Sequence, residues 1–254
     1  MSLLLSLRSE MLKTKRTALI YFTIGAAAFG PFMSMLDLVF DGVEGDHRRD
    51  IFNEMLTKKF MMTGLVALPI FLILVTTLLA QVEYKNNTWK QVLTSPQHKG
   101  NVFAGKFLNL QMLIALFLVT NLLLMFIAAI ILHFMEPSLN VLNQPLNWNN
   151  ILMARINTYV ALLAMCTIQF WLGLKFKNFI IPIAIGIALW FIGTILVLQV
   201  KSGFVGYFPY SFHAYGRFPK YDPQANEVGW TSLGYSVLFL MIGFLDFRKR
   251  SMNK

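Results

Sequence analysis

The sequence predicts an all-α polytopic membrane protein with an N-terminal interfacial helix, six transmembrane helices and both termini in the cytoplasm. Three observations carry that expectation. Of 254 residues, 56% are hydrophobic and only 13% charged, with a mean hydropathy of +0.59, whereas soluble domains are about a quarter charged. Six apolar runs reach the length of about 20 residues needed to cross a hydrocarbon core, at 17–39, 60–82, 107–134, 151–174, 179–200 and 230–247. The basic residues fall in short clusters that flank these runs.

Those clusters set the orientation. Arg8, Lys13, Lys15 and Arg16 share one side with Lys85, Lys90, Lys99 and Lys106, then Lys175 and Lys177, then Arg248, Lys249, Arg250 and Lys254. The other side carries Arg48, Arg49, Lys58 and Lys59, diluted by Asp41, Glu44, Asp46, Asp50 and Glu54. It also carries Lys201, Arg217 and Lys220, while 133–150 holds no Lys or Arg. Positive loops stay inside, so both termini and the loop 83–106 are read as cytoplasmic. The net charge of +10 is therefore a topology signal and not a nucleic-acid footprint. The single cysteine, Cys166, permits no internal disulfide and no Cys-based metal site. The apolar patch Leu3, Leu4 and Leu5 is too short for a signal-peptide core, so the first span is expected in the mature chain.

Each element has its own pattern. In 1–16, Leu3, Leu4, Leu7 and Met11 share a helical face amid Arg8, Lys13, Lys15 and Arg16, which predicts an amphipathic helix lying in the headgroup layer. Gly25, Gly30 and Pro31 in the first span, and Pro182, Gly186 and Gly193 in the fifth, suit close crossings and kinks. They fit intramolecular packing or a dimer seam. The third run exceeds what a bilayer needs, which predicts a tilt or emerging ends. Asn109, Gln111, Asn121 and Gln169 either line a path or bond between helices. Asp37 and Asp246 sit at span ends and Arg155 one turn into its span, so no buried midplane charge supports ion-coupled transport. The loop 201–229 is dense in aromatics, including Tyr207, Tyr210 and Phe212, and reads equally as dipping into the outer leaflet or as packed above it.

Catalytic and cofactor motifs are absent. His47, His98, His133 and His213 lie far apart without partners at metal-ligand spacing and read as polar loop or interface residues. Gly100, Gly105 and Lys106 stand at the spacing G-x-x-x-x-G-K, but Phe107 replaces the magnesium-binding hydroxyl and no strand precedes it. The chain is expected to be no enzyme and to bind no nucleotide or other cofactor.

The polar segment 83–106, EYKNNTWKQVLTSPQHKGNVFAGK, is longer than a connector between spans requires. Residues 88–94 read as one or two helical turns ended by Ser95 and Pro96, with Trp89, Val92 and Leu93 on one face bounded by Lys85 and Lys90. Asn101 is the expected cap of the third span. Glu83, where the second span meets this loop, can pair with one of the loop lysines and fix its angle.

At these residues the chain resembles the permease subunits of type-2 ABC transporters, especially small bacterial permeases of bacitracin-resistance and lantibiotic-immunity type. Their second span ends in a glutamate, followed by a segment like G-T-x-K-x-L-L-T-S-P, a basic stretch and a Gly-Lys at the next span. Glu83, Thr88, Lys90, Leu93, Thr94, Ser95, Pro96, Gly105 and Lys106 match, and Asn87 stands where Gly is frequent. The resemblance implies a coupling helix formed by Thr88, Trp89, Lys90, Val92, Leu93, Thr94 and Pro96, docking on a separate cytoplasmic ABC ATPase, with Glu83 as its hinge. It also implies a second permease protomer, identical or a sister, in a bacterial cytoplasmic membrane, and export of an amphipathic or hydrophobic substrate: a peptide antibiotic, a lipid-like molecule or a drug. The competing expectation is a non-transporting scaffold or immunity protein that binds a peptide at the outer surface through 201–229.

Overall fold

The structure, a computed structural model, describes residues 3–41, 50–85, 98–200, 203–215 and 225–249. A short helix α1 (Leu3–Lys15) precedes α2 (Leu19–Asp41), α3 (Ile51–Tyr84), α4 (Lys99–Met135), α5 (Trp148–Lys175), α6 (Ile180–Gln199), the single turn α7 (Phe212–Tyr215) and α8 (Ala225–Arg248). Six of these helices are long and apolar enough to cross a membrane. The chain is an all-α polytopic membrane protein. α5 packs against both α3 and α8, and α4 against α2 and α1, so α5 and α4 form the middle of the bundle.

α3 and α4 begin earlier than hydropathy predicts, at Ile51 rather than 60 and at Lys99 rather than 107. Asn53, Glu54, Lys58 and Lys59 dilute the hydropathy of the first α3 turns. Packing decides instead: Ile51, Phe52, Met55 and Leu56 form one buried stripe against Met125, Ala128, Ala129 and Leu132 of α4. α4 is capped by His98, whose side chain accepts from the Gly100 amide at 3.4 Å. Asn101 is inside the first turn and is not the cap.

The spans break their backbone ladders at several points, and at three of them a side chain from another span donates to a carbonyl of the broken turn. Pro31 lacks the N–H that would bond the Ala27 carbonyl, and Asn121 of α4 donates to that oxygen at 3.0 Å. Two π-helical stretches interrupt α3, Met55–Lys59 and Thr63–Ala67. In the first, the Leu56 carbonyl accepts from Arg155 Nη1 of α5 at 3.0 Å. Beside the second, Pro69 frees the Leu65 carbonyl, which accepts from Trp190 Nε1 of α6 at 3.3 Å. Water is absent from a bilayer core, so only protein groups can satisfy such breaks.

The four amides Asn109, Gln111, Asn121 and Gln169 all bond between elements. Besides Asn121, Asn109 donates to Thr14 Oγ1 at 2.6 Å. Gln111 accepts from the Tyr159 hydroxyl at 2.8 Å and donates to Cys166 Sγ at 3.7 Å. Gln169, with no exposed surface, donates to the Tyr210 hydroxyl at 3.0 Å.

The segment 203–215 folds back among the spans. Val205, Tyr210, Ser211, Phe212, His213 and Ala214 are all buried. A Cβ on Gly193 would stand 2.2 Å from the Tyr210 carbonyl oxygen, so only glycine admits this backbone. Gln199 lies six residues further along α6, so Tyr210 sits about 9 Å below that end. His213, read from the sequence as a polar loop or interface residue, is buried and accepts from Trp190 Nε1 at 3.1 Å. The aromatics of 216–224, Phe218 and Tyr221 among them, lie outside the described residues.

Two outcomes follow. Asn121→Ala lowers stability by about 1 kcal/mol, and by less in a Pro31→Ala background, where a restored amide satisfies the Ala27 carbonyl; thermal unfolding of the four proteins of this double-mutant cycle checks it. Gly193→Ala destabilises strongly because Tyr210 must move, whereas Gly234→Ala, with nothing within 4 Å of its new Cβ, leaves the melting temperature unchanged or slightly raised.

Candidate functional site

Where α3 ends and α4 begins, four charged side chains meet. Glu83 ends its span only 1% exposed, and Lys106, two turns into α4, is 2% exposed. Lys106 Nζ lies 2.6 Å from Glu83 Oε1 and 2.9 Å from Glu10 Oε2. Lys13 Nζ closes the ring, 2.8 Å from Glu83 Oε1 and 2.7 Å from Glu10 Oε1. Two carboxylates and two ammonium groups balance, which is the condition for holding such charges out of water. Burial opposes the Lys13 charge, but Glu10 and Glu83 more than offset it and hold its pKa above the ordinary lysine value. Lys13 is therefore charged throughout the neutral range.

Helix α1 enters this site through its polar stripe. Ser6, Glu10 and Thr14, at i, i+4 and i+8, face inward and are buried. Leu3, Leu4, Leu5, Met11 and Leu12 are exposed. The expected apolar face is thus on the surface, where it is free to meet lipid, and the packing face is the polar one. Gly105 makes this possible: a Cβ there would approach the Leu7 amide nitrogen at 3.2 Å. Thr14 accepts from Asn109 one turn beyond the ion cluster. Gly105 and Lys106, the near-match to a phosphate-binding loop, lie inside a helix, where they hold α1.

Both ends of the loop after Glu83 are tied to other spans. On its entry side, the Tyr84 hydroxyl donates to the Leu174 carbonyl at 2.6 Å and Gln81 to the Lys177 carbonyl at 3.0 Å. On its exit side, Lys99 donates to the Arg248 carbonyl at 3.0 Å. Phe103 packs on Phe170, Phe244 and Phe247. Trp171 donates to Asp246 at 3.1 Å and carries Lys175 over its ring. The ends of α3, α4, α5 and α8 are thereby joined on one side of the bundle.

Of the expected site residues, Glu83 stands at the centre of this cluster, and its partners are Lys106, the last residue of the segment 83–106 but already two turns into α4, and Lys13 of α1. Thr88, Trp89, Lys90, Val92, Leu93, Thr94 and Pro96 lie outside the described residues. Sequence reasoning missed Glu10, Lys13 and Thr14 as members of the site. Their signal was the Ser6, Glu10, Thr14 spacing, hidden because the apolar residues of the same helix drew the reading outward. Among the described residues, no group of three or more His, Cys, Asp or Glu could hold a metal ion. The arrangement binds elements to one another through fixed charge.

Removing one member strands a buried charge. Lys106→Met leaves Glu10 and Glu83 facing one cation and costs about 3–5 kcal/mol. Adding Glu83→Gln restores the charge balance and recovers much of that loss. The unfolding midpoints of the two single variants and the double variant check this, and additive losses would contradict it.

A search of curated proteins finds no match. A family model described as ABC-2 family transporter protein matches residues 6–193, which takes in most of α1, the ion cluster, the first four spans and most of the fifth. The chain belongs to the ABC-2 family of transporter proteins.

Proposed function

We propose that the chain is the permease subunit of an ATP-driven exporter and that 88–96 is the coupling helix on which its ATPase acts. Family membership implies an ABC ATPase partner. The observation that supports this loop as the point of contact is the ion cluster, which joins residues on both sides of it to each other and to α1. A push on the loop then reaches α3 through Glu83 and α4 through Lys106 together, because separating these two buried groups would strand charge.

In this reading the cluster side is cytoplasmic, as the lysine and arginine bias requires. α1 rests on the inner leaflet with Leu4, Leu5 and Leu12 toward lipid. Closure of two ATPase subunits on ATP moves 88–96 with Glu83 as the hinge, and the movement opens a path between two protomers, identical or sister chains. The substrate is amphipathic or hydrophobic, the membrane is a bacterial cytoplasmic membrane, and this chain itself binds no cofactor. The peptide-binding scaffold is less favoured, because Tyr210 and Phe212 of the aromatic loop are buried among the spans.

Trp89→Ala combined with Leu93→Asp tests the docking surface. Two interface anchors contribute about 2–4 kcal/mol each, so the ATPase that co-purifies with the wild-type chain from native membranes is lost from the variant. A stable complex that still couples ATP to export would refute the loop's role.

A further inference from the structure

Segment 203–215 enters the bundle from the boundary opposite the ion cluster. α6 starts at Ile180, just after the end of α5 that Tyr84 holds beside Glu83, and runs away from it to Gln199. At His213 the segment meets α6 and, through Trp190, α3. The His213 side chain is buried. Trp190 Nε1 of α6 donates to His213 Nε2 at 3.1 Å and to the Leu65 carbonyl of the second π-helical turn at 3.3 Å. Thr194, one turn further along α6, holds its Oγ1 3.4 Å from the same Nε2.

The chemistry of these partners fixes the protonation of the ring. An indole N–H only donates, so Nε2 is the bare nitrogen of a neutral imidazole, with the proton on Nδ1. Thr194 gives its own hydroxyl proton to the Trp190 carbonyl at 2.9 Å, which leaves its oxygen as an acceptor. A proton added at Nε2 therefore reverses both contacts. Two N–H groups then oppose each other at Trp190, while Thr194 Oγ1 gains a donor. The added charge is also costly in a buried site. His213 thus has one neighbour suited to the neutral ring and a second suited to the charged ring. The second lies one turn nearer the Gln199 end, the end from which the segment enters.

The elements packed around α7 are α3, α5, α6, α8 and the turn 203–207. α6 carries no ionisable side chain from Ile180 to Gln199, and α3 carries none from Phe60 to Val82. α5, which packs here through Ala161 and Ala164, brings Tyr159 and Cys166. Its Arg155 is engaged by the Leu56 and Ile151 carbonyls. α8 brings Tyr235, bonded to the Tyr207 carbonyl, and the exposed Glu227. The segment itself adds Tyr207 and Tyr210, the latter bonded to Gln169. Of all these groups only His213 ordinarily changes charge between about pH 5 and pH 8.

We propose that His213 is a proton-operated latch on the buried segment. Neutral, it locks 203–215 to Trp190; protonated, it gives up Trp190, turns to Thr194 and loosens the segment toward the boundary it enters from. The stabilisation is present at higher pH and is lost as pH falls, because only the neutral ring accepts from Trp190. The latch uses no residue of the ion cluster or of 88–96, so it stands or falls apart from the transport reading.

Amide hydrogen exchange of the full-length chain in lipid nanodiscs, compared at about pH 8 and about pH 5, tests it. The readout is the protection of Ser211 and Ala214, whose amides bond the Phe208 and Ser211 carbonyls, corrected for the intrinsic exchange rate at each pH. Acidification is expected to lower that protection about tenfold or more and to leave the middle of α4 unaltered. His213→Gln keeps an oxygen for Trp190 to donate to but takes up no proton in this range, so it is expected to stay protected at both pH values. Trp190→Phe removes the donor that disfavours the charged ring; it is expected to shrink the pH dependence and decides the matter if His213→Gln does not fold. A wild-type segment equally protected at both pH values overturns the latch. So does a wild-type pH dependence that survives in the Gln variant or is undiminished in the Phe variant.

Discussion

The structure depends on an ion cluster at one boundary of the bundle that keeps three charges, Glu10, Glu83 and Lys106, out of water, with the half-buried Lys13 closing it. Glu10, Lys13, Glu83 and Lys106 come from three helices far apart in sequence, and each is costly to bury alone. Together they are neutral and within hydrogen-bonding distance. The cost of breaking the set is what makes it a joint: α1 cannot leave, and α3 cannot slide against α4, without exposing or stranding a charge. Gly105 brings the helices close enough, and the Asn109 to Thr14 bond extends the contact by a turn.

The same logic runs through the membrane interior on a smaller scale. Proline and π-helical turns free carbonyls that lipid cannot satisfy. Asn121, Arg155 and Trp190 reach across from other spans to accept that role as donors. Such bonds are modest individually, but they are directional, so they set which helix meets which and at what height. The buried 203–215 segment is held in the same way, through Gln169 to Tyr210 and Trp190 to His213.

The spans were legible because hydropathy and charge bias are summed over many residues, and a summed signal survives local exceptions. Their ends were less so. The first turns of α3 carry five polar or charged residues, Asn53, Glu54, Thr57, Lys58 and Lys59, that lower hydropathy while Ile51, Phe52, Met55 and Leu56 still bury a face. The π-helical turns leave no sequence mark beyond Pro69. At the site, Glu83 was readable as a carboxylate that pairs with a lysine of the segment 83–106, but not which lysine, because Lys106 is brought to it by the early start of α4. Glu10 and Lys13 were not, because which face of α1 packs is a tertiary choice. Two faces were available, one apolar and one polar, and the buried charges of α3 and α4 selected the polar one.

That selection is the central claim, and amide hydrogen exchange of residues 3–15 measures it most directly. In the full-length chain reconstituted in lipid nanodiscs, α1 is expected to be protected, and Lys106→Met to raise its exchange by about tenfold or more, the consequence of losing over 1.4 kcal/mol of docking energy, while exchange in the middle of α4 and α5 is unaltered. Unchanged protection of α1 in that variant would show that lipid contact, and not the ion cluster, holds the helix in place.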